Sequence, residues 1–306
     1  MKIRPWGVRG SIPCPGPETV HFGGNTACIE LRYGPDDQLI IIDAGSGIRK
    51  LGEFVMKNDL PKGPIKTKIF FSHTHWDHIM GFPFFIPIFV PKTEIDIYGP
   101  VTYEDEGLEE IIGGQLRYRY FPVKHSELSA SIRYHPLRER SLDLGGGMKL
   151  VTKYLNHPIL CLGYRFEHEG KVFCTAYDTE PFRNVFPTDP SDPSYDEEAA
   201  IEGEAAAKEE NEKILHFFKG ADLLIHDSQY TRKEYLSSKI GWGHTTFEYA
   251  VNAAHKAKVK KLLLFHHDPN RSDDELRSLL DTYRSRLKGK SNLEIEIARE
   301  GVVWEV

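Results

Sequence analysis

Apolar runs that end in a polar or glycine-rich tip recur along this chain. "TACIELRYG" (26–34) and "QLIIIDAGSG" (38–47) are short β-rich runs around "PDD", a hairpin signal. "KTKIFFS" (66–72) and "EIDIYGP" (94–100) read as further strands, and residues 103–118 as a helix with an acidic first turn. The second half opens with strands in "MKLVTKYLNH" (148–157), "CLGYRFEHEG" (161–170) and "KVFCTAYDT" (171–179), the last two joined at Glu169-Gly170. A Pro- and Asp-rich loop (187–198) leads into a long helix over 197–220, with Gly220 as its stop. "ADLLIHDSQY" (221–230) and "KKLLLFHHDP" (260–269) are strands running into polar tips. Helices follow over 245–259 and 272–289, the latter capped by Ser272, and "LEIEIA" is the last strand. Sheets flanked by helices, with His and Asp at strand ends, predict an α/β layered fold whose site lies along one edge of the sheets. We read residues 1–306 as one domain with an insert around 101–147 that shapes the substrate pocket. There "QLRYRYFPVKH" sets Arg117, Arg119 and Lys124 among aromatics; a phosphate and a base would suit it, although a solvated face is the commoner use of such a stretch.

Composition narrows the class without naming it. The formal net charge is −6, which gives no general attraction to nucleic acid. The four cysteines, Cys14, Cys28, Cys161 and Cys174, form neither a C-x-x-C pair nor a disulfide framework, and read as free thiols of a reducing cytoplasm. "MKIRPWGVRGS" carries no apolar signal segment. "GFPFFIPIFV" (81–90) is too short to span a bilayer and is broken by Pro83 and Pro87, so no membrane role is expected.

Candidate chemistry concentrates in "FFSHTHWDHIMG" (70–81). In an extended segment His73 and His75 project to one side, while Asp77 and His78 approach from another angle as the chain turns. Four ligands on different vectors suit two adjacent metal ions better than one, because a catalytic tetrahedral site keeps one position open. Further candidates are His157, Asp178 and the pair His266 and His267, each past a strand. Adjacent residues point oppositely, so one of that pair is expected to be a ligand. A lone His such as His157 is more often an ordinary core or surface residue. Three histidines and an acid crowded behind one strand would be costly to bury without a partner.

H-x-H-x-D-H after a strand, followed by a later His, Asp and His at strand ends, resembles the metallo-β-lactamase superfamily from "IIIDAGSG" to "FHHDP". The resemblance implies a four-layer αββα sandwich with its site at one edge between the sheets. It implies that His73, His75 and His157 hold a first ion, that Asp77, His78 and His266 hold a second, that Asp178 bridges them, and that Asp43 stands behind the ligands. Zinc fits this donor set, as do manganese and iron.

"LLIHDSQY", "GHTT" and "LLLFHHDP" are similar to the tRNase Z and cyclic-phosphodiesterase branch. Two metals about 3.5–4 Å apart can share a hydroxide and clamp an in-line phosphoryl displacement. Asp77 then serves the reaction as a metal ligand, His244 is the general acid, and Asp227 orients His244. His226, beside Asp227, leaves open which of the two points inward, and His244 as an ordinary polar residue at a helix start is the plainer alternative. The interval from His157 to Asp178 has no room for the exosite arm of long-armed tRNase Z, and the cysteine spacing does not support the extra zinc site of phosphoribosyl cyclic phosphodiesterases. The expectation is a phosphodiesterase acting on a small, cyclic phosphodiester such as a cyclic nucleotide or cyclic sugar phosphate, with nucleic acid disfavoured. The resemblance also implies a homodimer. The alternatives are a thioester or lactam hydrolase on the same fold and a tRNase Z-like endoribonuclease.

Overall fold

A computed structural model of the chain describes residues 1–101 and 106–306. The first half supplies β1 (Lys2–Gly7), β2 (Cys28–Tyr33), β3 (Gln38–Ile42), α1 (Ile48–Asn58), β4 (Lys66–Phe70), α2 (Trp76–Ile79), β5 (Glu94–Pro100), α3 (Leu108–Gly114) and β6 (Ser131–Leu137). The second half supplies β7 (Ser141–Asp143), β8 (Lys149–Leu155), β9 (Cys161–His168), β10 (Lys171–Ala176), α4 (Glu197–Phe218), β11 (Leu223–Asp227), α5 (Arg232–Glu234), α6 (Phe247–Lys256), β12 (Lys261–Phe265), α7 (Asp273–Leu287), β13 (Glu294–Ile297) and β14 (Trp304–Glu305).

Among the described residues the strands form two seven-stranded sheets, ordered β14-β1-β2-β3-β4-β5-β6 and β13-β12-β11-β10-β9-β8-β7. Each is antiparallel along one half and parallel along the other: β3 to β6 run parallel in the first sheet, β10 to β13 in the second. The sheets pack face to face through Ile40, Ile42 and Phe70 on one side and Leu162, Phe166, Ile225 and Phe265 on the other. The alternate residues face outward. Leu39, Ile41, Ile69 and Ile97 meet α1 and the two 3-10 turns of "GFPFFIPIFV". Leu224, Leu262 and Leu264 meet α4, α6 and α7. Strands buried on both faces read as continuous apolar runs, and helices outside two stacked sheets make four layers, αββα.

The helix expected over 103–118 is shorter and later. Residues 103–105 lie outside the described residues, α3 begins after Gly107, and the Gly113-Gly114 pair ends it. The stretch 101–147 is less of an insert than expected: its second part supplies β6 and β7, the edge strands of the two sheets. In the basic and aromatic stretch Lys124 lies 4.3 Å from the Tyr118 ring centroid and the Tyr118 hydroxyl donates to Glu127 at 2.6 Å. Among the described residues β1, α1, α2, β6, β7, α5 and β14 carry no expectation from the sequence. No helix of the described residues is long and apolar enough to cross a membrane.

Candidate metal centre

All seven residues expected to bind metal meet where the strand ends of both sheets face each other. Two groups hold these seven, each with its donor atoms within 4.8 Å of one another: His73, His75, His157 and Asp178, then Asp77, His78, Asp178 and His266; a third such group joins Asp178 and His266 to Asp227 and His244. In the first, His157 Nε2 is 3.0 Å from His75 Nδ1, and His73 Nε2 is 3.4 Å from Asp178 Oδ2. In the second, Asp178 Oδ1 is 3.1 Å from His78 Nε2 and 3.2 Å from His266 Nε2, while Asp77 Oδ2 is 3.1 Å from His266 Nε2. Asp178 thus offers one oxygen to each group. The pair His266 and His267 is resolved in favour of His266; His267 is turned into the protein, where neither ring nitrogen has a hydrogen-bond partner.

Groups behind the imidazoles fix which nitrogen is bare. His78 Nδ1–H donates to Asp43 Oδ2 at 2.8 Å, and His157 Nδ1–H donates to the Gly243 carbonyl at 2.9 Å. His73 Nδ1–H donates to Ser72 Oγ at 3.0 Å, whose own hydroxyl donates to Asp43 Oδ2 at 2.8 Å. Each leaves Nε2 bare toward the cluster, the arrangement that orients histidine ligands. Burial, the largest influence on both, lowers the pKa of His75 to about 4 and that of His157 to about 2, so both are neutral and able to ligate at physiological pH. For Asp77 burial works against ionisation, but the imidazoles of His78 and His266 outweigh it and hold the carboxyl well below its usual range.

The donors fit divalent metal ions. His73 Nε2 and Asp178 Oδ1 are buried without a hydrogen-bond partner, and imidazole nitrogens face one another across about a hydrogen-bond length with no protein group between them. Buried polar atoms aimed at a common point in this way call for an ion.

Beside the second group lie Asp227 and His244. Leu223 and Ile225 of β11 face the space between the sheets, so Asp227 continues that phase and His226 points outward against Phe218 and Tyr249. His244 Nδ1–H donates to Asp227 Oδ2 at 2.8 Å, and its ring stacks on that of His266 with centroids 4.9 Å apart. Burial alone would lower the His244 pKa; the carboxylates of Asp227 and Asp178 outweigh it and carry it up to about 9. Asp227 is itself held, accepting from the backbone N–H of Gln229 at 3.0 Å and of Thr245 at 3.3 Å.

The residues that sequence reasoning missed are in the loops. Ser11 N–H donates to Asp77 Oδ2 at 2.7 Å. Gly10 lies so near the His266 ring that a Cβ there would come within 2.4 Å of it. At Gly45 a Cβ would meet the Asp77 carbonyl at 2.2 Å, so only glycine lets α2 sit against the turn after β3. Glu180 is buried and accepts from the N–H groups of Gly241 and Gly243 at 2.9 and 3.4 Å. "GVRGSIPCPGPETVHFGGNTACIE" resembles the loop near the metals of the tRNase Z branch but does not single out Gly10 or Ser11, and an acid two residues past Asp178 carries no spacing rule.

No family model matches this chain. Ribonuclease Z of Lactococcus lactis subsp. lactis (strain IL1403) is 27% identical over 226 residues, covering 65% of this chain and 70% of its own length. Ribonuclease Z of Streptococcus agalactiae is 27% identical over 262 residues, covering 75% and 79%. Among solved structures, the metallo-β-lactamase fold protein YhfI from Bacillus subtilis superposes with a TM-score of 0.63 at 20% identity, covering 100% of this chain and 98% of that one. The short form of human tRNase Z superposes with a TM-score of 0.61 at 20% identity, covering 100% and 99%. Four layers, two facing sheets and a histidine and aspartate cluster at their common edge are the metallo-β-lactamase fold, and this chain has it. Its sequence relatives are ribonuclease Z proteins, so within that fold the chain is similar to the tRNase Z branch.

Proposed function

We propose that this protein is a metal-dependent hydrolase of phosphodiesters that uses two divalent ions, zinc by preference, and His244 as general acid. The observation that carries the reading is the Asp227–His244 pair, 2.8 Å apart and set against His266. Bound ions at the two groups would polarise the phosphoryl oxygens and activate water. His73, His75 and His157 with one oxygen of Asp178 would hold one ion, and Asp77, His78 and His266 with the other oxygen the second. His244 keeps a proton because Asp227 accepts from Nδ1; the remaining Nε2–H is free to pass to the leaving oxygen as its bond to phosphorus breaks. The Asp227 carboxylate, 2.8 Å from His244 Nδ1, stabilises the imidazolium before transfer. A thioester or lactam hydrolase does not need this pair.

The preferred substrate is a small cyclic diester. Between His157 and Asp178 the chain runs through β9, the turn at Glu169-Gly170 and β10, which leaves no arm for a large RNA. A second reading, cleavage of an RNA strand, is favoured by the ribonuclease Z relatives. The metal-loaded protein should be screened against cyclic mononucleotides, cyclic dinucleotides, 1,2-cyclic sugar phosphates and a precursor tRNA. Turnover of one of the cyclic diesters without cleavage of the RNA is expected; cleavage of the RNA alone would replace the first reading by the second, and full metal content with no diester hydrolysed would overturn both. We further propose a cytoplasmic protein that works as a homodimer.

A further inference from the structure

Two of the four tryptophans are packed away: Trp6 donates its indole N–H to Glu30 at 2.9 Å, and Trp304 is buried in the core between the sheets. The other two, Trp76 and Trp242, are 77% and 55% exposed, and each neighbours along the chain a residue that touches the His157 ring. Trp76 lies between His75 and Asp77 at the start of α2. Trp242 precedes Gly243, whose carbonyl accepts from His157 Nδ1–H, while His157 Nε2 is 3.0 Å from His75 Nδ1. Each tryptophan is therefore one residue from a group that touches the His157 ring, on opposite nitrogens of it.

Large aromatic rings left in water usually have something to cover them. Here the backbone that carries them is fixed. Glu180 takes the N–H groups on both sides of Trp242, from Gly241 and Gly243, and His157 takes the carbonyl of Gly243. On the other side, Asp77 is pinned by the Ser11 N–H. The Lys239 ammonium lies 3.7 Å from the centroid of the Trp242 ring, which covers one face and leaves the other. The Arg183 guanidinium stands beside Gly241, 3.3 Å from where a Cβ would be. In a chain of net charge −6, this rim sets exposed aromatic rings beside two cations, Lys239 on Trp242 and Arg183, which also pairs with Glu180 at 3.8 Å. Fixed aromatic platforms edged with positive charge are what binds a base next to its phosphate.

We propose that Trp76 and Trp242 form a base-stacking rim, so that the diester hydrolysed here carries a nucleobase beside the scissile phosphate. This rests on the phosphodiesterase reading above and selects nucleotides over cyclic sugar phosphates.

The test compares metal-loaded wild type with Trp242→Ala, Trp76→Ala and Trp242→Phe at matched metal content. The first readout is the ratio of kcat/KM for adenosine 2′,3′-cyclic phosphate to that for methyl riboside 2′,3′-cyclic phosphate, which loss of active protein leaves fixed. Each alanine variant should lower that ratio by about 5- to 150-fold, mostly through KM, and Trp242→Phe should restore most of it. The second readout, calorimetric binding of adenosine 5′-monophosphate, needs no turnover and should weaken by a similar factor. An unchanged ratio with unchanged binding overturns the rim. So does a change of oligomeric state in the alanine variants with nucleotide binding intact, which would make the tryptophans a contact between copies. If wild type hydrolyses neither these diesters nor any of the wider screen yet binds the nucleotide through these residues, the catalytic reading fails and the rim stands.

Discussion

Replacing His244 by alanine should separate leaving groups. The ring sits with Nδ1 2.8 Å from Asp227 Oδ2, and the carboxylates of Asp227 and Asp178 raise its pKa to about 9, which favours the protonated form at neutral pH. A general acid placed this way contributes about 10²–10⁴-fold to the rate, or about 2.7–5.5 kcal/mol of barrier. The whole of that is needed only when the departing oxygen is a strongly basic alkoxide. His244→Ala should therefore lose about 10²–10⁴-fold in kcat on a nucleoside 2′,3′-cyclic phosphate, and less than about tenfold on a p-nitrophenyl diester, whose leaving group departs unprotonated. Metal content measured on the same samples should equal wild type, because His244 gives its Nδ1–H to Asp227 and the seven other donors suffice for two ions. The pH profile gives a second check. The acid must carry its proton, so kcat on the alkyl substrate should fall as pH rises through the His244 pKa. Bound ions would neutralise the Asp178 carboxylate, which leaves Asp227 as the main anchor of that proton and sets the alkaline limb at or below about 9. Asp227→Asn removes the anchoring charge and should move the limb to lower pH. Equal losses on both leaving groups with metals intact would refute the role of His244 as acid.

Two further outcomes test the centre itself. His266→Leu should lower the bound divalent metal from two ions toward one per chain, whereas His267→Leu should leave metal content unchanged and cost little stability, since both of its buried ring nitrogens lack partners; metal analysis and thermal unfolding of the pair check this, and metal loss in the His267 variant would reverse the assignment. Asp43→Asn removes the charge behind His78 and Ser72 and should weaken metal affinity about 10–100-fold in a chelator competition, with unchanged affinity counting against the relay.

How much of this was legible depends on where chemistry meets pattern. "HTHWDH" announces itself because four donors behind one strand have no other use, and the four layers follow from strands too apolar to face water on either side. β1 is hidden by Arg4 and Pro5, which interrupt any apolar alternation in "KIRPWG". α1 is masked by the glycine-rich turn that precedes it and by Gly52, whose missing side chain lets Phe85 and Ile86 approach: a Cβ there would lie 3.1–3.2 Å from them. β14 is two residues long and exists only because it pairs with β1 across nearly the whole chain.

The choice within each tip was out of reach for a different reason. A strand with one wet face shows its phase in the sequence; β11 and β12 are buried on both faces, so "LLIHD" and "KLLLF" carry no alternation that could say which neighbour points inward. For β11 the phase simply continues, and Asp227 follows Leu223 and Ile225. For β12 it does not. Continuing the phase of Leu263 and Phe265 would send His267 into the space between the sheets, but His266 takes φ of +61° and turns its own ring to the cluster instead. Asp43 at the end of β3, with φ of +59°, and Ser11, with φ of +65°, do the same at the two other points where the backbone grips the ligands. Left-handed conformations cost a non-glycine residue free energy and persist where surrounding contacts hold them. Here those contacts are the Asp77, His78 and His266 interactions themselves. The centre is built where the strands stop obeying their own period, which is why the sequence could bring every ligand to the right tip yet leave the choice between neighbours open.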